Sequence, residues 1–213
     1  ILPPKGYLQR IREICDRHDL LLIFDEVISG WGRMGSPFAS QEFGVTPDMI
    51  TSAKGITNAT VPLGAVFVSD RIYNTVMDAA QEGMVEFFHG YTYSAHPVAC
   101  AAGMATLDIY DREGLLTRAS GDIGQYWEEA LHSLADLDQV IDIRNYGLVG
   151  AIELRAPDSL KGKFGGKVSA KLWDAGIMAR GIGDALCMSP PLIIETHEID
   201  RLVETLREVI GGL

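Results

Sequence analysis

Two side chains in this 213-residue sequence have the types and placement to work together chemically, a carboxylate and an amine. Asp25 follows the apolar run of "LLLIFDEV", Leu20–Val27, and Lys54 follows the shorter run of "MITSAKG", Met49–Gly55. Each run reads as a buried strand. In open α/β sheets ligands bind outside the carboxyl ends of the strands, so both residues would open onto one crevice. An amine partly desolvated there, near other cations, loses its proton more easily and condenses with an aldehyde. Pyridoxal phosphate needs such a lysine for its Schiff base, and an acid against its pyridine nitrogen to keep it protonated as an electron sink. Around Asp25 alone a second reading stays open, an acid that merely caps the following turn. A lone strand-end lysine is usually solvated surface, so the pairing of Lys54 with Asp25 carries the weight.

Apolar residues followed by Asp-Glu also have the shape of the metal-binding strand of a nucleoside triphosphatase. That reading requires a phosphate loop, and the nearest candidate is "KGKFGGKVS". Lys161 stands where the first glycine of the loop belongs, and Val168 where a metal-holding Ser or Thr belongs. The triphosphatase reading is therefore disfavoured.

The elements that must position Asp25 and Lys54 follow from periodicity. Tyr7, Leu8, Ile11, Ile14 and Cys15 recur at helical spacing, which predicts a helix leading into a strand over Leu20–Phe24. "DMITSAKG" and "PLGAVFVSD" fit further strands, read as parallel strands buried on both faces. Residues 97–107 are Ala-rich and helical in pattern. Beyond Glu113, Leu115, Leu116, Ala119, Ile123, Tyr126, Trp127, Ala130, Leu131 and Leu134 mark one long amphipathic helix. "VIDIRNYGLVGAIEL" reads as two strands joined at Asn145–Gly147, "KVSAKLWDAG" as a helix, and "IMARGIGDALCMSPPL" as an extended segment. A last helix capped by Thr196 closes the chain. The expected class is α/β, with a smaller α+β unit at the end.

Composition narrows the partners. The net charge of −11 opposes nucleic-acid binding, because such surfaces concentrate Lys and Arg. The three cysteines, Cys15, Cys100 and Cys187, have neither disulfide-framework nor zinc-pair spacing, which fits a reducing cytoplasm. No apolar run approaches the roughly 18 residues a membrane span needs. The start at Ile1, without an initiator Met, suggests a segment of a longer chain.

The stretches "PPKGYLQRIREICDRHDLLLIFDEVISGWGRMG", "FGVTPDMITSAKGITNATVPLGAV", "FFHGYTYSAHPVACAAG" and "GDALCMSPPLIIETHEID" strongly resemble class III pyridoxal-phosphate aminotransferases, the ω-transaminases. Within that class the sequence looks most like the β-alanine (ω-amino acid):pyruvate branch. The resemblance implies fold type I of the pyridoxal-phosphate transferases. Residues 1–112 would be the C-terminal part of a large, mostly parallel-sheet domain, and residues 113–213 the small C-terminal domain. It implies that Lys54 carries pyridoxal 5'-phosphate, that Asp25 pairs with the pyridine nitrogen, and that Val27 packs on the ring face. Thr92 would reach the phosphate of a neighbouring subunit's cofactor, in a homodimer or higher homo-oligomer. Arg180 would bind a substrate carboxylate through two parallel hydrogen bonds, a task suited to a guanidinium. Trp31 would lie near the entrance to the substrate site, with core or interface packing the alternative. His89 and His96 have no third partner at metal-ligand spacing and read as structural. The expected reaction moves an amino group from an ω-amino acid or amine to a keto acid. Other enzymes of the class, of ornithine or aminomutase type, and a non-catalytic homologue are the alternatives.

Overall fold

The computed structural model describes residues 1–213. The chain divides into two compact units. The first comprises Pro3–Trp31 and Ser36–Gly114, the second Leu115–Leu213 with Gly32–Gly35 and Ile1–Leu2.

In the first unit α1 (Tyr7–Arg17) turns Leu8, Ile11 and Cys15 onto Leu22, Phe24 and Val45, as the helical spacing requires. It leads into β1 (Ile23–Asp25), which runs parallel to β2 (Met49–Ser52) with Asp25 opposite Thr51. Asp48 ties this region together. Its carboxylate accepts the Leu22 backbone N–H at 2.8 Å, the Arg12 guanidinium at 2.8 Å and the Arg71 guanidinium at 3.0 Å. The Leu22 N–H and the Arg12 bond hold its pKa down to about 2.

Two expectations are corrected here. β3 (Ala65–Val68) pairs with β2 antiparallel, not parallel, and Val66, Phe67 and Val68 are exposed. The strand over Leu20–Phe24 is shorter and less buried than its composition suggests, for Leu20, Leu21 and Ile23 are exposed. Both strands lie at edges of the three-stranded order β1-β2-β3, each hydrogen-bonded to a neighbour on one side only, and Leu20 and Leu21 precede β1. The short α2 (Ala39–Glu42) and α3 (Asp70–Asp78) complete the unit with α4 (Pro97–Arg112). The His96 ring accepts the Val98 N–H to cap α4, and Pro97 opens it, where a missing N–H is harmless.

The second unit is α+β. β4 (Val140–Tyr146), β5 (Val149–Leu154), β6 (Arg180–Ile182) and β7 (Ala185–Met188) form one antiparallel sheet in the order β4-β5-β7-β6. Alternate residues of β5 turn inward, Ile152 fully buried. Trp127 and Leu131 of α5 (Asp122–His132) and Val168 and Leu172 of α6 (Phe164–Asp174) are buried on helices that pack on this sheet, and α7 (Thr196–Gly211) packs on α5 and α6 and buries Ile199, Leu206 and Ile210. The β4–β5 turn holds the Gly32–Gly35 segment to this unit. Arg33 donates to the carbonyls of Leu148 and Pro190, and a Cβ on Gly147 would come within 2.6 Å of the Arg33 carbonyl.

The single long helix expected beyond Glu113 is broken. A 3-10 turn over Leu115–Ser120 ends at Gly121, whose backbone is extended, and α5 starts afresh at Asp122. Thr196 is not the cap of α7 but its first residue. Glu195 caps it instead, and its own N–H donates to the Glu198 carboxylate at 2.9 Å. The segment read as extended forms the β6–β7 hairpin. In the stretch considered as a phosphate loop, the N–H groups of Gly162 and Phe164 grip the Asp184 carboxylate, so the donors a phosphate would need are already used.

Candidate active site

β1 and β2 are parallel and in register, so Asp25 and the segment that follows Ser52 emerge from the same edge of the sheet. Asp25 is exposed. Its Oδ1 accepts the Val27 N–H at 3.1 Å and the Thr51 hydroxyl at 3.2 Å, which fixes the carboxylate plane. No donor of the chain reaches Oδ2, which is left to accept from outside. The capping and ligand-binding readings of Asp25 are thus compatible, one oxygen serving each. Val27 follows in a turn, half-buried.

Glu26, which sequence reasoning passed over, has the opposite fate. Successive strand residues point to opposite sides, so with Asp25 outward Glu26 turns in and is 1% exposed. Its carboxylate accepts the N–H groups of Ala39 and Ser40 at 2.6 and 2.7 Å and the Ser29 hydroxyl at 3.1 Å. The charge is satisfied by the start of α2 and the Ser29 hydroxyl, and its burial removes it from a ligand. The alternation itself was the signal that could have separated the two acids.

Lys54 lies just past the end of β2, exposed, at the start of a 3-10 turn over Lys54–Ile56. Its amine has no ion pair or hydrogen bond in the chain. Its backbone is left-handed, with φ +46°, and Asn58 and Ala59 nearby have φ +49° and +60°. Non-glycine residues held there cost on the order of 1–3 kcal/mol each, so surrounding contacts must impose the conformation. Those contacts come from two aromatic residues. The Tyr110 hydroxyl, from α4, donates to the Gly55 carbonyl at 2.6 Å and lies 3.2 Å from Asn58 Oδ1. The Trp31 indole N–H donates to Ser52 Oγ at 2.8 Å.

Of the two readings of Trp31, a place near the substrate entrance or core packing, the contacts within the chain are those of core packing. Its side chain is 8% exposed, stacks on Tyr110 with ring centroids 6.2 Å apart, and leans on Phe38 at 5.2 Å. With its N–H bonded to Ser52, Trp31 supports the end of β2 and the turn that carries Lys54.

Thr92 lies on an exposed turn and makes no hydrogen bond within the chain. Around it Phe88, Tyr91 and Tyr93 are 97, 76 and 82% exposed. The His89 ring sits between Phe87 and Tyr91, and no group of three or more His, Cys, Asp or Glu side chains is arranged to hold a metal. Arg180 opens β6 in the second unit, exposed and without a carboxylate partner. The residues at the strand ends suit pyridoxal phosphate at two points. Asp25 Oδ2 is a free acceptor for a protonated ring nitrogen, and Lys54 offers a free amine for an aldehyde.

The class-III aminotransferase family model matches residues 1–210. An omega-aminotransferase of Caulobacter vibrioides is 55% identical over 99% of this chain and 48% of its own length. A beta-alanine–pyruvate aminotransferase of Pseudomonas aeruginosa is 48% identical over 100% of this chain and 48% of its own. The crystal structure of an (S)-enantioselective omega-transaminase from Thermomicrobium roseum superposes with a TM-score of 0.91 at 39% identity, covering all of this chain and 48% of that one. The chain spans about half the length of the curated relatives it matches. Its architecture is that of part of a fold type I pyridoxal-phosphate transferase, and the chain belongs to the class-III aminotransferases.

Proposed function

We propose that the protein is a pyridoxal 5'-phosphate-dependent transaminase that moves an amino group from an ω-amino acid or amine, such as β-alanine, to a keto acid such as pyruvate. One observation carries this reading. The ends of two neighbouring parallel strands present a carboxylate oxygen and a lysine amine, neither of which has a partner in the chain. The names of the Caulobacter and Pseudomonas relatives support the substrate class. On this reading residues 1–112 form the C-terminal part of the cofactor-binding domain and residues 113–213 the small domain.

When bound, the cofactor supplies a protonated ring that takes up the electron pair left when a proton departs from the substrate carbon. Asp25 Oδ2 would accept the ring N–H and keep that nitrogen protonated, while the Val27 and Thr51 bonds hold Oδ1 and stop the carboxylate from turning. Val27 would pack against the ring face. The Lys54 amine would hold the cofactor through its aldehyde and, as a free amine, would carry the proton away from the substrate carbon. Arg180 receives the substrate carboxylate through a two-pronged hydrogen bond. Thr92 donates to the phosphate in a second subunit's site, and the exposed aromatic residues around it suit an interface between subunits. Cys15, Cys100 and Cys187 are all unpaired, in keeping with a cytoplasmic setting, and no helix is long and apolar enough to cross a membrane.

The test is an assay of the full-length protein with pyruvate against β-alanine, an aromatic amine and ornithine in turn. Alanine formed from β-alanine with pyruvate supports the reading. Turnover with ornithine alone moves the protein to another branch of the family, and no turnover with any donor overturns it.

A further inference from the structure

We propose that Tyr110 is a positioning residue for Lys54, its hydroxyl setting where the lysine amine stands by holding the carbonyl of the next residue. This rests on the reading of Lys54 as the cofactor lysine.

Three observations carry it. First, the bond is short and its donor is buried. Tyr110 is 3% exposed, and its hydroxyl meets the Gly55 carbonyl at 2.6 Å, one peptide unit after Lys54. Second, the segment it holds adopts a conformation the chain would not choose. Lys54, Asn58 and Ala59 all have left-handed backbones, and Tyr110 contacts two points of that segment, the Gly55 carbonyl and Asn58 Oδ1. Third, there is no slack for the turn to slide. A Cβ on Gly55 would lie 2.6 Å from Trp31 Cβ, and the Trp31 ring lies against that of Tyr110 at a 24° interplanar angle. Trp31 therefore fixes the turn by contact and by its bond to Ser52 on one side of Lys54. The Tyr110 hydroxyl fixes it on the other.

Two carbonyl acceptors near that turn are served by its own residues. Thr57 Oγ1 donates to the Val61 carbonyl and Thr60 Oγ1 to the Thr57 carbonyl, both at 2.7 Å. The Gly55 carbonyl instead depends on a donor from α4. A misplaced lysine amine slows proton transfer more than substrate binding, because transfer requires reacting atoms near contact while binding does not.

The test uses the full-length protein and Tyr110→Phe, which removes one oxygen and keeps the ring stacked on Trp31. Tyr126→Phe is the control. It removes a hydroxyl bonded to Asp200 in the second unit, far from Lys54 in sequence. Three readouts are taken. Borohydride reduction and peptide mapping of the wild type locate the cofactor. Amide hydrogen exchange of the cofactor-free protein follows residues 54–61. Half-reaction kinetics are normalised to bound cofactor. With Tyr110→Phe, exchange over 54–61 accelerates about fivefold or more. The kcat falls about tenfold with KM changed less than about twofold. Tyr126→Phe leaves both unchanged. Label at Lys54 with exchange and kcat unaltered in Tyr110→Phe overturns the proposal and leaves Lys54 as the cofactor lysine. An equal loss of kcat in Tyr126→Phe also overturns it, by showing a general structural effect. Label on another lysine removes the reading of Lys54, and the proposal with it.

Discussion

Replacing Asp25 by Asn separates the electrostatic work of this carboxylate from its local bonding. Oδ1 of the asparagine still accepts from the Val27 N–H and the Thr51 hydroxyl, the two bonds that hold the native side chain at 3.1 and 3.2 Å. Asp25 is exposed and makes no ion pair, so the loss of charge leaves nothing buried and unpaired. The expected change in stability is within about 0.5 kcal/mol, the range for surface substitutions. Catalysis fares differently. The amide nitrogen that replaces Oδ2 is a donor, and it faces a ring nitrogen that must itself donate, so the ring is driven to its unprotonated form and loses its capacity as an electron sink. Loss of one preorganised electrostatic partner of a developing charge costs roughly 2.7–4 kcal/mol, which is about 10²–10³ in kcat. The assay is the amine half-reaction of the full-length enzyme under single turnover, paired with thermal unfolding of the cofactor-free protein. Turnover within about threefold of wild type refutes the role of Asp25. A large loss of stability would instead show that its bonds to Val27 and Thr51 are structural.

Two further outcomes follow from particular contacts. Asp48, whose pKa is held at about 2 against an unfolded value near 3.9, contributes about 2 kcal/mol that is fully present above pH 4 and lost as pH falls through 2. Urea unfolding at pH 7 and pH 3 should show about half of that contribution gone at pH 3 in wild type, and no such loss in Asp48→Asn. Equal pH dependence in the two proteins would contradict it. Arg180→Ala should leave stability nearly unchanged, since Arg180 has no partner in the chain. It should slow the keto-acid half-reaction about 10- to 100-fold while sparing simple amines. Equal losses in both half-reactions would place the carboxylate clamp elsewhere.

The carboxylate and the lysine were legible because a strand that ends in a polar residue advertises itself locally, in an apolar run and the residue that stops it. Local pattern does not reach further than that. "PLGAVFVSD" marks a strand, but nothing in the run says whether it returns antiparallel, and β3 does. A helical spacing from Leu115 to Leu134 survives an interruption at Gly121 because the apolar face resumes on the same side. Glu195 is not legible as a cap because Ser, Thr, Asp and Asn lead at that position, and Thr196 stands next to it. Trp31 and Tyr110 are far apart in sequence, and their joint support of the Lys54 turn exists only once α4 is folded against it. No residue pattern encodes a left-handed lysine either, since lysine has no preference for that conformation.

Borohydride reduction of the full-length protein loaded with pyridoxal phosphate, followed by peptide mapping, goes most directly to the assignment on which the rest depends. A pyridoxyl adduct on the peptide that contains Lys54, absent when Lys54 is replaced by Ala, is the expected result. An adduct on any other lysine, or an undiminished adduct in Lys54→Ala, would contradict the assignment.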